Sequence, residues 1–291
     1  MSKFISSSKG IDWWFSIGLS WLMGVAALLL FLIVFFLVNE AWPVLQGGLW
    51  TQFFNADGWY PLENKLGLLP MLWATLAVSL GALILAFPLG LGCAIFIEYY
   101  APRFIGKPFS SIVTLLAGIP SVVFGLWGLT ELVPLINKLH PPGASLLAAV
   151  IVLTLMILPT ITVTSRSALS SLPSHLLQNS AALALSRKSM ITSVLVPSAF
   201  RGIVGGVLLA LVRALGETMA VLMVAGNVVQ TPSGLFDPVR VLTANIALEM
   251  AYATDNHRAA LFASGLLLMM LVFFIAWIAN RLSSGEGSGY D

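Results

Sequence analysis

The chain of 291 residues is 58% hydrophobic and 9% charged, where soluble globular domains are about 45–50% apolar and about 25% charged. That composition excludes a water-soluble enzyme. Fourteen Lys and Arg against twelve Asp and Glu leave a net charge of +2, too little for the basic footprint that nucleic-acid binding requires.

A helix needs about 20 apolar residues to cross a hydrocarbon core of about 30 Å. Charge-free stretches of that order predict an all-α membrane protein with six spans, at residues 14–38, 68–97, 112–129, 145–163, 202–229 and 259–279. Residues 1–13 precede the first run. Lys3 and Lys9 give them a signal-like look, but the run exceeds a signal h-region and no small-residue cleavage site follows, so it reads as a retained span. The segment 39–65 carries Trp42, Trp50, Trp59 and Tyr60, which suits an aromatic belt at the membrane interface.

The single cysteine, Cys93, lies inside the second run; it excludes an intramolecular disulfide and reads as a small buried residue. The third run contains Gly118-Ile119-Pro120-Ser121 and the fourth contains Pro159. Such breaks are tolerated where a helix faces protein or water. A helix restarted after Pro120 presents free N–H groups to an anion, which nominates Ser121; an ordinary kink is the alternative. The segment 165–201 reads as two short helices, 176–185 and 190–196, the second ended by Pro197. That arrangement suits a docking surface.

The fifth run holds Arg213 and Glu217, the only full charges deep in any predicted span. Counted from Arg201, Arg213 lies about 18 Å in, near the bilayer midplane. A central Arg or acidic residue costs about 2.5–3.5 kcal/mol even on the lenient insertion scale. At four residues apart the two can pair along one helical face, and Gly206 and Ala210 extend the same stripe. Intramembrane charges mark substrate or ion paths by default; a purely structural ion pair is the alternative, although apolar replacement of such pairs is often neutral.

In the segment 230–256, Asp237-Pro238 predicts the start of a short amphipathic helix running through Val241, Leu242, Ile246 and Met250 to about Tyr252. Residues 282–291, rich in Gly and Ser, are expected to form a flexible tail. Alternation of the spans gathers Lys3, Lys9, Arg103, Lys107, Arg166, Arg187, Lys188, Arg201 and Arg281 on one side and leaves Lys65, Lys138, Arg240 and Arg258 on the other. The positive-inside rule places the first group, with both termini, in the cytoplasm. His140, His175 and His257 fall in separate polar segments with no partner at metal-ligand spacing, so no metal or catalytic residue is expected. The sequence has no Gly-x-x-x-x-Gly-Lys-[Ser/Thr] phosphate cradle, so any ATP dependence must come from another subunit.

Several strings resemble the membrane subunits of bacterial ABC importers, specifically phosphate permeases of the PstC type. They are Ala41-Trp42-Pro43, Phe96-Ile97-Glu98, the run from Gly118-Ile119-Pro120-Ser121 through Leu126-Trp127-Gly128-Leu129, and Arg213-Ala214-Leu215-Gly216-Glu217-Thr218-Met219-Ala220-Val221. The resemblance implies a six-span type I ABC importer permease fold in the inner membrane. It implies three kinds of partner besides lipid: a second related permease, a pair of cytoplasmic ATPases that bind ATP and Mg, and an external phosphate-binding protein. It also carries a role in the substrate path onto Arg213, Glu217 and Thr218.

The family's ATPase-docking pattern is Glu-Ala-Ala, three residues, Gly, nine residues, then Ile-x-Leu-Pro. Counted back from Pro197, it falls on Gln178, Asn179 and Ser180, then Ala184, with Arg187 inside the segment. The spacing is kept while the Glu and the Gly are replaced. Other oxyanions such as molybdate or sulfate, and an ion-coupled secondary anion transporter that needs no ATPase, are the competing readings.

Overall fold

The computed structural model describes residues 8–46, 48–54, 58–63 and 65–284. The expectations for residues 1–7 and for the tail from 285 onward lie outside the described residues; the last helix includes the tail's first residues, up to Ser284.

Thirteen α-helical segments are described, with short 3-10 and π turns between them and one two-stranded hairpin. They are α1 (Ser8–Gln46), α2 (Leu69–Ile95), α3 (Arg103–Ala117), α4 (Ser121–Trp127), α5 (Val133–Leu139), α6 (Leu146–Ser170), α7 (Ser174–Ala182), α8 (Arg187–Met190), α9 (Val196–Ser198), α10 (Phe200–Leu215), α11 (Met219–Val224), α12 (Leu242–Glu249) and α13 (Asp255–Ser284). The hairpin pairs Trp59–Tyr60 antiparallel with Lys65–Leu66. Among the described residues five segments are long and apolar enough to cross a membrane: Trp13–Gln46, Leu69–Tyr100, Ser121–Leu139, Leu146–Ser170 and Asp255–Ile278. A sixth is obtained if Arg187–Ser198 and Phe200–Leu215, bent by 69° to each other, count as one span.

Helix α6 is the centre of the bundle. On α2, Ala74, Ala82 and Ala86 are fully buried against it, and small side chains let two backbones approach closely where hydrocarbon offers no hydrophobic drive. A Cβ on Gly90 would stand 2.9 Å from Ile161 Cγ2 and 3.3 Å from the Leu158 carbonyl. On the opposite flank, added Cβ atoms on Gly202 and Gly206 of α10 would overlap Ala168 and Thr164.

The start of α6 is buried, so its free N–H groups need protein acceptors. The amides of Leu146 and Leu147 donate to the Asp237 and Leu235 carbonyls, each at 2.8 Å, and Ser145 Oγ accepts from the Ala148 amide at 3.3 Å. The loop that supplies those carbonyls is tied by Asp237, whose carboxylate accepts from the Ser233 hydroxyl (2.6 Å) and the Ser233 and Gly234 amides. The Ser233 hydroxyl, and then those amides, hold the Asp237 carboxyl below its ordinary range. The loop's tie is therefore complete above the ordinary carboxylate range and is lost as pH falls through the lowered value.

Helix α1 is apolar all round and packs on α13 near one end, where Ala41 and Val44 are buried and Phe36 meets Phe262 edge-on at 5.6 Å. Its most apolar stretch is uncovered by the rest of the chain.

Two predicted runs are divided. The third, 112–129, is interrupted because Pro120 lacks an N–H and restricts Ile119 before it: α3 ends at Ala117 and the helix restarts at Ser121. The membrane-length segment is therefore Ser121–Leu139, which includes Glu131 and Lys138 and so escaped a charge-free window. The fifth run, 202–229, breaks between α10 and α11. The helix predicted from Asp237 begins at Leu242 instead, because residues 233–239 form the loop that caps α6.

Replacing Gly90 with Val is expected to push α2 from α6 and cost about 1–3 kcal/mol. The measurement is the thermal unfolding midpoint of the purified protein in detergent, which should fall.

Candidate functional site

Arg213 and Glu217 do not share a helix. α10 closes on Gly216, whose amide donates to the Val212 carbonyl, and α11 begins after Thr218. Arg213 therefore occupies the last turn of α10 and Glu217 the entry to α11, where its Oε1 accepts from the Ala220 amide at 3.0 Å. Each charge sits at the helix end whose dipole favours it. The predicted Arg213–Glu217 pair is absent among the described residues: Arg213 is exposed and donates through Nη1 to Thr160 Oγ1 of α6 at 3.2 Å.

The predicted stripe divides in the same way. Gly206 and Ala210 are buried against the bundle while Arg213 faces outward. Thr218 Oγ1 donates to the Gly216 carbonyl at 3.3 Å, and Thr243 of α12 donates to the Glu217 carbonyl at 2.8 Å, so hydroxyls satisfy the carbonyls freed by the break. Ser121 opens α4, which lies against α11: a Cβ on Gly125 would stand 2.8 Å from the Ala220 Cα. The structure brings α4 and α11 together, but no hydrogen bond joins Ser121 to Arg213 or Glu217 among the described residues.

In the segment that matches the docking spacing, Gln178, Asn179 and Ala184 are exposed, while Ser180 is buried with its hydroxyl donating to the Leu176 carbonyl at 2.7 Å. Ala184 has φ +51°, the left-handed region, directly after α7. Its amide donates to Ala181 and the Leu185 amide to Ser180, the paired closure that ends many helices and usually employs glycine at this position. Arg187 reaches back to the Tyr99 carbonyl at 3.2 Å and lies over the Tyr100 ring. Pro197 is exposed and stands inside α9 rather than ending the helix, because a proline near a helix start needs no amide partner.

Two charged clusters escaped the sequence reading. Glu249 is only 7% exposed and receives Trp59 Nε1 at 2.6 Å, Arg240 Nη1 at 2.8 Å and His257 Nε2 at 2.8 Å. Arg240 also donates to Asn245 and to the Asn227 carbonyl. Trp59, read as part of the interfacial belt, is thus a buried hydrogen-bond donor, whereas Trp42 and Tyr60 are exposed. An acidic residue ending the mostly apolar α12 was the available signal. The second cluster joins Glu98, in the π turn Phe96–Tyr100, to Arg166 of α6 at 3.1 Å. Its partners are 68 residues apart, so no local spacing reveals it.

Ala184→Gly is expected to stabilise the protein by about 1 kcal/mol, since an L side chain in the left-handed region costs about that much; the thermal midpoint should rise. Glu249→Ala removes the acceptor shared by Trp59, Arg240 and His257 and leaves the half-buried Arg240 without its counter-charge, at an expected cost of about 3 kcal/mol, with Glu249→Gln milder by the same measurement.

Residues 86–285 match the family described as the inner membrane component of binding-protein-dependent transport systems. The probable ABC transporter permease protein YqgH of Bacillus subtilis is 40% identical over 255 residues, spanning 86% of this chain and 80% of its own. The phosphate transport system permease proteins PstC of Mesorhizobium japonicum (36% over 253 residues, 79% of this chain and 77% of theirs) and Xylella fastidiosa (33% over 283 residues, 87% of each) are also similar. Among solved structures, a bacterial importer of the acidic polysaccharide alginate aligns over 94% of this chain and 99% of its own, with a TM-score of 0.60 at 18% identity. The inward-facing MetNI methionine ABC transporter aligns over 72% of this chain and 92% of its own, with a TM-score of 0.59 at 22% identity. With residues 86–285 matched by the family and relatives at 33–40% identity over most of its length, the chain belongs to the family of inner membrane components of binding-protein-dependent transport systems.

Proposed function

We propose that the chain is a permease subunit of an ATP-driven importer of inorganic phosphate, working by alternating access beside a second, related permease. Two cytoplasmic ATPases supply ATP and Mg binding, and an external phosphate-binding protein delivers the anion. Relatives named phosphate transport system permease proteins support the substrate. The basic end of the bundle, with Arg103, Lys107, Arg187 and Lys188, faces the cytoplasm with both termini in this reading. The uncovered apolar surface of α1 is met by lipid or by the second permease.

The observation that carries the proposal is Arg213, an exposed guanidinium at the inner end of an apolar helix, held by a single threonine hydroxyl. Four of its five N–H groups stay available to a passing anion as charge-assisted donors. Across the helix break, Glu217 engages the Ala220 amide through Oε1, and its other oxygen can accept a hydrogen bond from the P–OH that hydrogen phosphate carries and sulfate lacks near pH 7. Ser121 and Thr218 are assigned to the same path. Gln178, Asn179, Ser180, Ala184, Arg187 and Pro197 form the ATPase-docking segment, with Gln178 offering hydrogen bonds where the family has a charge.

The experiment is uptake of labelled phosphate by the assembled transporter in proteoliposomes. Arg213→Gln is expected to reduce import at least about tenfold, the loss of one charge-assisted contact. Glu217→Gln is expected to retain import while narrowing the preference for phosphate over sulfate. Normal import by Arg213→Gln, or an unchanged preference in Glu217→Gln, refutes the corresponding role.

A further inference from the structure

The surface beside Arg213 continues along α6 as a face that is mostly hydroxyl-bearing, with Val163 as its one apolar member. Thr160, which holds Arg213, is followed on one helical face by Val163, Ser167 and Ser170, at steps of three, four and three. Val163, Ser167 and Ser170 are exposed. The face descends about 15 Å toward the basic end and borders a cavity of about 250 Å³ between the π turn Phe96–Tyr100, α3 and α6. Arg166, Ser110, Thr114, Thr162, Ser167 and Ser170 form its polar wall, and Ile97, Val113 and Val163 its apolar one.

Arg166 donates through Nε to Glu98 and through Nη1 to Ser110 Oγ. Three of its five N–H groups remain for a ligand. Ser110 accepts from Arg166 and keeps its own proton to donate, and the Ser167 hydroxyl makes no hydrogen bond among the described residues. A guanidinium and two hydroxyl donors around one small cavity match an oxyanion.

We propose that this cavity is a second, downstream holding site for an inorganic oxyanion, with Arg166 as the charged donor and Glu98 as the carboxylate that keeps the hold weak. The proposal rests on the reading of Arg213 as part of an anion path. In the empty cavity Glu98 neutralises Arg166, so no bare charge is buried. When the anion arrives, Glu98 repels it but accepts a hydrogen bond from an oxyanion that carries a proton, as hydrogen phosphate does. A weak, second station suits conduction, which requires each site to be left as readily as it is entered.

The competing account is a structural tie: Glu98–Arg166 pins the π turn after α2 to α6 and binds nothing. The two differ in the sign of the Glu98 effect. The test uses the assembled transporter in inside-out vesicles, with Cys93→Ala and Ser167→Cys leaving one thiol in this chain, beside Arg166. The readout is the rate at which a water-soluble methanethiosulfonate labels this chain, with inorganic phosphate or sulfate added.

Phosphate is expected to slow labelling about fivefold at saturation, and Arg166→Gln to remove the effect. Glu98→Gln is expected to lower the half-protecting phosphate concentration about threefold and to let sulfate protect as well. Arg213→Gln is expected to keep protection at Ser167 while import fails. Ser170→Cys serves as a second reporter if Ser167→Cys impairs assembly. The proposal is overturned by protection from neither anion, by protection that survives Arg166→Gln, by equal loss in Arg166→Gln and Glu98→Gln, or by loss in Arg213→Gln. Continued import by Arg213→Gln, with protection intact, counts against the path role of Arg213 and leaves the Arg166 site standing.

Discussion

A backbone amide or carbonyl released inside hydrocarbon must find a partner within the protein, and this constraint organises the molecule around its helix breaks. Where α10 stops at Leu215, Glu217 takes the Ala220 amide and Thr243 takes the Glu217 carbonyl. Where α6 begins in the interior, the carbonyls of Leu235 and Asp237 accept its first amides. Each repair brings in a distant stretch of chain. The loop after α11 and the short helix α12 therefore pack over the break rather than trailing at the surface.

The same breaks produce the chemistry. A continuous helix through residues 213–217 would set Arg213 and Glu217 on one face, four residues apart, and they would neutralise each other. Interrupted at Gly216, the chain assigns each charge to the helix end that favours it and leaves Arg213 with donors to spare. The other charges at membrane depth or just outside it are handled differently. Glu249 is saturated by Trp59, Arg240 and His257 and stitches the hairpin, α12 and α13 together. Glu98 and Arg166 sit between these cases: the two are paired, yet Arg166 also lines an open cavity.

At the basic end, Ala184 shows how a family pattern encodes backbone geometry. The position after α7 demands a left-handed conformation, and the closing hydrogen bonds form with alanine in place of glycine. The segment that matches the docking spacing closes its helix at a cost in strain. Arg187 fastens it to the π turn that also holds Glu98.

Composition and apolar run lengths alone dictate a helical membrane protein. In lipid the polar backbone must be satisfied within helices or closed barrels, and apolar runs of about 20 residues suit a helix while barrel strands are about ten residues long and alternate in polarity. The long apolar runs of α2, α6 and α13 lie where hydropathy places them. The Arg213–Glu217 segment stands out for the same reason, since a charge in an apolar run is costly wherever it occurs. Tertiary structure alone decided the rest. Whether Pro120 and Gly216 kink a helix or end it depends on whether a neighbour supplies the missing partners, and those neighbours, Thr243 above all, lie far along the chain. The burial of Trp59, the saturation of Glu249 and the pairing of Glu98 with Arg166 join residues separated by 190, 9 and 68 positions. No local pattern records such contacts, because they exist only once the helices have packed.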